Sequence, residues 1–209
     1  MPKLPSLILF DIGSVIIDVD HLEIATRLAQ SSKDPRYTDQ AEVLSALKSV
    51  STILINDYDT GKISSEEFYK QMVSTYHLTM DFETFREAWN SCFRENAEVS
   101  SLVNHLGERY RLFLLSNTNE MHFECLQATF PVIKNVKTAI LSYKVRSRKP
   151  ERAIYEHALN LGNVPAESVW YVDDRIEFVN AAAQLGIHAF QFQTTPKLID
   201  EFQPLLNNT

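Results

Sequence analysis

Four short segments of this 209-residue chain carry the residue types that chemistry needs. Leu7-Ile8-Leu9-Phe10-Asp11 is an apolar run that stops on one carboxylate. Arg111-Leu112-Phe113-Leu114-Leu115-Ser116-Asn117 stops on a hydroxyl and an amide, and Val169-Trp170-Tyr171-Val172-Asp173-Asp174 on paired carboxylates. Between them, Arg146-Ser147-Arg148-Lys149-Pro150-Glu151 gathers cations ahead of a helical pattern. Short apolar runs bounded by turn residues read as buried strands. Polar groups at the carboxyl ends of such strands stand where open parallel sheets place their ligands. A carboxylate, hydroxyl and amide donors, a cation and an acidic pair thus follow one another in that order along the chain.

Each part also has a plainer explanation. Asp11 suits a turn, and Ser116 and the Asp173-Asp174 pair suit helix caps. A basic run is usually a solvated face. Pro150 places a helix start there, and cations at a helix N-terminus oppose its dipole by about 0.3–1 kcal/mol each. A bound anion offsets that placement, which favours a working role for Lys149 and leaves Arg146, Arg148 and Arg152 open between substrate contact and surface.

The elements that must position these residues alternate beyond residue 98, as in a parallel sheet. Strands are expected at 7–12, 111–116, 136–141, 168–173 and 187–192, with helices at 99–109, 119–130, 151–161 and 176–185. Gly107, Gly162 and Gly186 fall where helix ends are expected. Residues 18–97 show helices and no convincing buried strand: 21–31 behind Asp20, 41–56, one opened by a Ser64/Glu67 capping box, and one opened by Asp81. Gly61 to Phe68 looks like half of a calcium loop, but Tyr58 stands where a carboxylate ligand is required, so a helix–turn–helix is expected instead.

The four segments in this order resemble the haloacid dehalogenase (HAD) superfamily of phosphohydrolases over nearly the whole chain. The resemblance is nearest to small bacterial sugar-phosphate phosphatases with a Phe-Asp-x-Gly-x-Val first motif, here Phe10-Asp11-Ile12-Gly13-Ser14-Val15. It implies an α/β fold, with a Rossmann-like parallel-sheet core at 1–17 and 98–209 and an inserted helical cap at 18–97. It implies Asp11 as nucleophile and Mg²⁺ as cofactor, held by Asp11, the carbonyl of Gly13 and Asp174, with Asp173 behind them as a supporting partner. Ser116, Asn117 and Lys149 take the phosphoryl group, Lys149 as a catalytic cation. The implied substrate is a small phosphorylated metabolite such as a sugar phosphate.

Three departures from the family pattern bear on activity. Gly13 occupies a position where many family phosphatases carry an aspartate as general acid and base. Arg175 and Phe178 replace polar residues of the last motif, where a lost polar group weakens metal binding. Without an acid at 13, aryl, acyl and anomeric phosphates are expected to outpace primary alkyl phosphates; a flat dependence points to another donor, such as Asp18 or a cap residue, or to a rate-limiting step after phosphoryl transfer. Asp18 itself reads as an exposed hinge residue, and His122 as a helix-surface residue. Two alternatives stand beside the phosphatase. One is a metal-free 2-haloacid dehalogenase, against which Asp174 counts. The other is a catalytically weak homologue with a binding or regulatory role.

Composition narrows the field further. A net charge of −7 opposes a general nucleic-acid binder. The N-terminal apolar segment is short and broken by Asp11, so neither a membrane span nor a secretory signal is expected. Cys92 and Cys125 fit no metal or redox spacing and read as thiols of a cytoplasmic protein.

Overall fold

The computed structural model describes residues 4–206. Its strands are β1 (Leu7–Phe10), β2 (Ile17–Val19), β3 (Phe93–Glu95), β4 (Leu112–Ser116), β5 (Thr138–Leu141), β6 (Val169–Asp173) and β7 (His188–Gln191). Its helices are α1 (His21–Ser31), α2 (Gln40–Ser49), α3 (Thr52–Asp59), α4 (Ser65–Tyr76), α5 (Phe82–Trp89), α6 (Ala97–Gly107), α7 (Glu120–Thr129), α8 (Pro131–Asn135), α9 (Ser142–Val145), α10 (Arg152–Gly162), α11 (Ile176–Ala183) and α12 (Thr195–Leu206).

Five strands form one sheet in the order β5-β4-β1-β6-β7, and every neighbouring pair is parallel. All four residues of the central β1 are buried because helices cover both faces of the sheet. Successive side chains point to opposite faces. Ile8 and Phe10 join Leu114, Trp170 and Val172 against α6, α8 and α12. Leu7 and Leu9 join Phe113, Leu115 and Tyr171 against α10 and α11. The fold is the expected α/β, Rossmann-like arrangement with helices inserted after the first strand.

That insertion holds α1–α5 and has its own apolar cluster around Tyr58, Phe68, Met72, Phe85 and Trp89, joined from the core by Met121. α1, α2, α4 and α5 start on side-chain caps from Asp20, Asp39, the reciprocal Ser64/Glu67 box and Asp81, whereas Ser51 ahead of α3 makes no such cap. The Gly61 segment is the expected helix–turn–helix, between α3 and α4.

Some elements differ from the sequence reading. The helix expected at 41–56 is two helices, broken where buried Ser51 turns its hydroxyl to Tyr76 Oη at 2.8 Å. The short antiparallel pair β2–β3 carries the chain into and out of the insertion; its exposed residues give no strand-like apolar run. α12 was not expected either. Gly107 and Gly162, expected just past helices, are instead the last residues of α6 and α10; Asn163 after α10 takes the left-handed conformation (φ 49°).

Gly61 fixes how closely the insertion meets the core. Its φ is +65°, and a Cβ there would lie 2.2 Å from the Tyr143 carbonyl oxygen. Gly61→Ala is therefore expected to cost more than ~1 kcal/mol. Urea unfolding of wild type and variant checks this; equal midpoints and slopes would contradict it.

Candidate active site

The ends of β1, β4 and β6 meet beneath the insertion at a cavity of about 460 Å³. Asp11 follows β1, and its N–H donates to Val172 O on the neighbouring strand at 2.9 Å. Its Oδ1 accepts from Ile12 N at 2.7 Å and lies 2.9 Å from Lys149 Nζ. Lys149 comes from the loop between α9 and α10, and its side chain is 1% exposed. Its Nζ also donates to Asp173 Oδ2 at 2.6 Å and to Leu115 O at 3.0 Å. An ammonium has three N–H donors, and three acceptors surround this one.

The reason for Lys149's position differs from the one drawn from sequence. α10 begins at Arg152, beyond Pro150, so the lysine is not a first-turn residue facing the helix dipole. Two buried carboxylates hold it. Asn117 holds its backbone: Oδ1 accepts from Lys149 N at 2.8 Å, and Nδ2 donates to Lys149 O at 2.9 Å. The Asn117 side-chain amide, expected to meet a phosphoryl group, is thus engaged within the protein. Ser116, at the end of β4, lines the cavity, and its hydroxyl has no hydrogen-bond partner among the described residues. It does not cap the following helix; Asn119 does, through His122 N.

Asp173 is fully buried. Its Oδ2 also accepts from Tyr171 Oη, and its Oδ1 accepts from Arg175 N at 2.9 Å. Asp174 lines the cavity, with no hydrogen bond or ion pair to its carboxylate among the described residues. Carboxylate oxygens of Asp11, Asp173 and Asp174 lie within 4.8 Å of one another. Burial pushes Asp11 up to about 7; Lys149 opposes the rise and Asp173 adds to it. Burial, and then Asp173, also raise Asp174. Three carboxylates share one ammonium, so this cluster retains negative charge that a hard divalent cation suits. Gly13 borders the same cavity, and a Cβ added there would meet only Val19 Cγ2, at 3.5 Å.

The insertion contributes to the cavity too. Asp59, at the end of α3, faces Asn119 Nδ2 at 3.0 Å, and that amide also lies 3.2 Å from His122 Nδ1. His122 is not a helix-surface residue. Its Nε2 is 3.1 Å from Trp89 O, and its ring stacks on Trp89 with centroids 5.3 Å apart. Burial lowers it to about 4. Arg148 reaches across to Asn56 Oδ1 and lines the cavity, whereas Arg152 pairs on the surface with Glu156. Asp18 is exposed on β2 and is not among the residues lining the cavity. Phe178 is buried, with Lys149 Nζ 5.2 Å from its ring centre and the Arg175 guanidinium 4.5 Å from it. An aromatic face here supports the ammonium in place of a polar group. Sequence reading missed Asp59, Asn119, Tyr171 and Asn56. Tyr171 lay within one motif and Asn119 just beyond another, but neither position carries a local sign of which carboxylate it will meet.

A family model for haloacid dehalogenase-like hydrolases matches residues 8–192. The chain belongs to this family. It is 26% identical to a D-ribitol-5-phosphate phosphatase of Bacteroides thetaiotaomicron, over 96% of this chain and 98% of that one. A HAD-like hydrolase from Porphyromonas gingivalis superposes with a TM-score of 0.81 at 22% identity, covering 99% of this chain and 100% of the other. A HAD family enzyme from B. thetaiotaomicron, solved with magnesium and inorganic phosphate, gives 0.77 at 20% identity, covering 91% and 95%.

A depressed buried histidine has a definite effect on stability. Unfolding returns His122 to its ordinary value near 6.5, so below that pH the unfolded state binds the extra proton and stability is lost down to about 4. His122→Gln should lose less stability than wild type between pH 7 and 4.5 in urea denaturation. Parallel losses would show that His122 protonation is not coupled to folding.

Proposed function

We propose that this HAD-like hydrolase is a magnesium-dependent phosphatase that cleaves a small phosphomonoester through an aspartyl-phosphate on Asp11. The observation that carries the reading is the three-carboxylate cluster around Lys149, in which Asp174 is left without a protein partner beside the nucleophile. The names of the phosphatase relative and the magnesium–phosphate complex support the same reading. A small phosphorylated polyol or sugar suits a cavity of this size, lined by Asp59, Asn119, His122 and Arg148.

Asp11, the Gly13 carbonyl and Asp174 would hold the magnesium ion, which supplies positive charge between the nucleophile and the phosphoryl oxygens. Lys149 fixes the Asp11 carboxylate through Oδ1, leaving Oδ2 to attack phosphorus. The Ser116 hydroxyl donates to a phosphoryl oxygen. Asn117 acts at one remove by locking the Lys149 backbone, and Asp173 by holding its ammonium. Tyr171 donates to Asp173, and Phe178 covers the ammonium. A 2-haloacid suits this site less well: its own carboxylate would face Asp11, Asp173 and Asp174 with Lys149 already saturated.

Three outcomes test the reading. Asp11→Asn should remove nearly all phosphate release, because an amide is a far poorer nucleophile than a carboxylate; wild-type turnover by the folded variant would defeat the assignment. Across a panel of phosphorylated metabolites, chelation should abolish phosphate release and magnesium should restore it. Asp174→Ala should raise the magnesium concentration needed for half-maximal rate. Chelator-resistant halide release would mark a dehalogenase, and magnesium-independent binding without turnover would mark a binding protein.

A further inference from the structure

The strand ends provide the nucleophile and the α9–α10 loop the ammonium of Lys149, but neither provides a free side chain to protonate the leaving oxygen. Gly13 lacks the carboxylate, although its surroundings have room for one, and Asp18 points to solvent. A phosphoryl group attacked in line by Asp11 would expel its leaving group on the side away from Asp11, where the insertion walls the cavity. Asp59 is the carboxylate that the insertion contributes to the walls of this cavity.

Several contacts fix that carboxyl group in place. The Asp59 carbonyl accepts from Ser142 Oγ at 2.5 Å, and the same hydroxyl accepts from Thr118 N at 2.9 Å. Asp59 is thereby tied to the backbone two residues beyond Ser116. Gly61 sits directly against Tyr143, which no residue with a side chain could match without displacement. Asn119 Nδ2 binds Oδ1, while Oδ2 has no hydrogen-bond partner among the described residues. We propose that Asp59 is the general acid and base of this enzyme, taking the part that the glycine at 13 leaves open; the proposal rests on the phosphatase reading.

The proton balance is complete. In the first half-reaction Asp11 bonds to phosphorus, the bond from phosphorus to the alkoxy oxygen breaks, and that oxygen leaves with the electron pair and the proton of Asp59. In the second, water attacks the phosphorus, gives its proton to the Asp59 carboxylate, and Asp11 departs as a carboxylate. Burial raises Asp59 to about 6, against the pull of its Asn119 hydrogen bond and of Arg148. A carboxyl near that value is populated in both protonation states around neutral pH. The other titratable groups around it are His122 and Glu120 on α7, Tyr58 on α3 and Tyr143 on α9.

The test compares two leaving groups with magnesium present. Glycerol 3-phosphate releases a poor leaving alkoxide, and p-nitrophenyl phosphate releases a good one that needs no proton. Asp59→Asn should lower kcat/KM for glycerol 3-phosphate by about 10²–10⁴-fold and leave p-nitrophenyl phosphate much less affected. Retained aryl phosphatase activity also shows that the variant is folded. Asp59→Glu, which keeps an acid, should recover part of the alkyl activity. Equal losses on both substrates would make Asp59 a positioning or binding residue and overturn the proposal, as would an unchanged ratio. Wild-type protein that releases phosphate from neither substrate nor from the metabolite panel would instead defeat the phosphatase reading itself.

Discussion

The buried ammonium of Lys149 is the interaction on which the site depends. It reaches Asp11 at 2.9 Å and Asp173 at 2.6 Å with almost no exposure. Buried charges are costly to desolvate, and a pair compensates that cost only when its geometry is good and its remaining donors are used. Here the third donor goes to Leu115 O, and Tyr171 Oη and Arg175 N bind the Asp173 oxygens. Removing Lys149 would leave the buried carboxylates of Asp11 and Asp173 without their cation at the strand ends. The lysine therefore joins Asp11 at the end of β1 to the acidic end of β6 while arriving from a loop that belongs to neither strand.

The same ion group explains why the site calls for a metal. One ammonium cannot neutralise Asp11, Asp173 and Asp174 together, and Asp174 is the carboxylate left over. Protein groups neutralise Asp173 most fully, so it serves the lysine. Asp11 and Asp174 face the cavity, where a hard cation would find oxygen ligands with little competition from protein donors. Phe178 fits this arrangement from the other side: its ring lies against the ammonium, which already has its three hydrogen bonds.

The insertion is joined to this centre through polar contacts rather than by apolar packing alone. Met121 enters its apolar cluster, and beside apolar residues such as Trp89 and Phe93 the seam above the strand ends carries Asp59, Asn119, His122, Ser142, Arg148 and Asn56. A polar seam can bind hydroxyl-bearing substrate groups and hold a titratable carboxyl at a raised value. A tightly apolar seam would have excluded both. Gly61 permits the close approach, since the space a Cβ would need is filled by the Tyr143 carbonyl.

The sequence by itself determined the parallel core, the family and the residues at the strand ends. Those features are local: a buried central strand must be apolar along its length, and a polar residue that ends such a run is conspicuous. Strong caps such as Ser64/Glu67 marked insertion helices for the same reason. Tertiary structure decided which partner each of those residues serves. Asn117 turns its side chain to the Lys149 backbone, His122 stacks on Trp89 instead of lying on a helix surface, and Ser51 breaks a helix to meet Tyr76. Asp59 is 48 positions from Asp11 in a turn that resembles an ordinary surface loop. Its role depends on long-range burial and on Ser142 and Asn119, contacts that leave no periodic or local trace in a chain of amino acids.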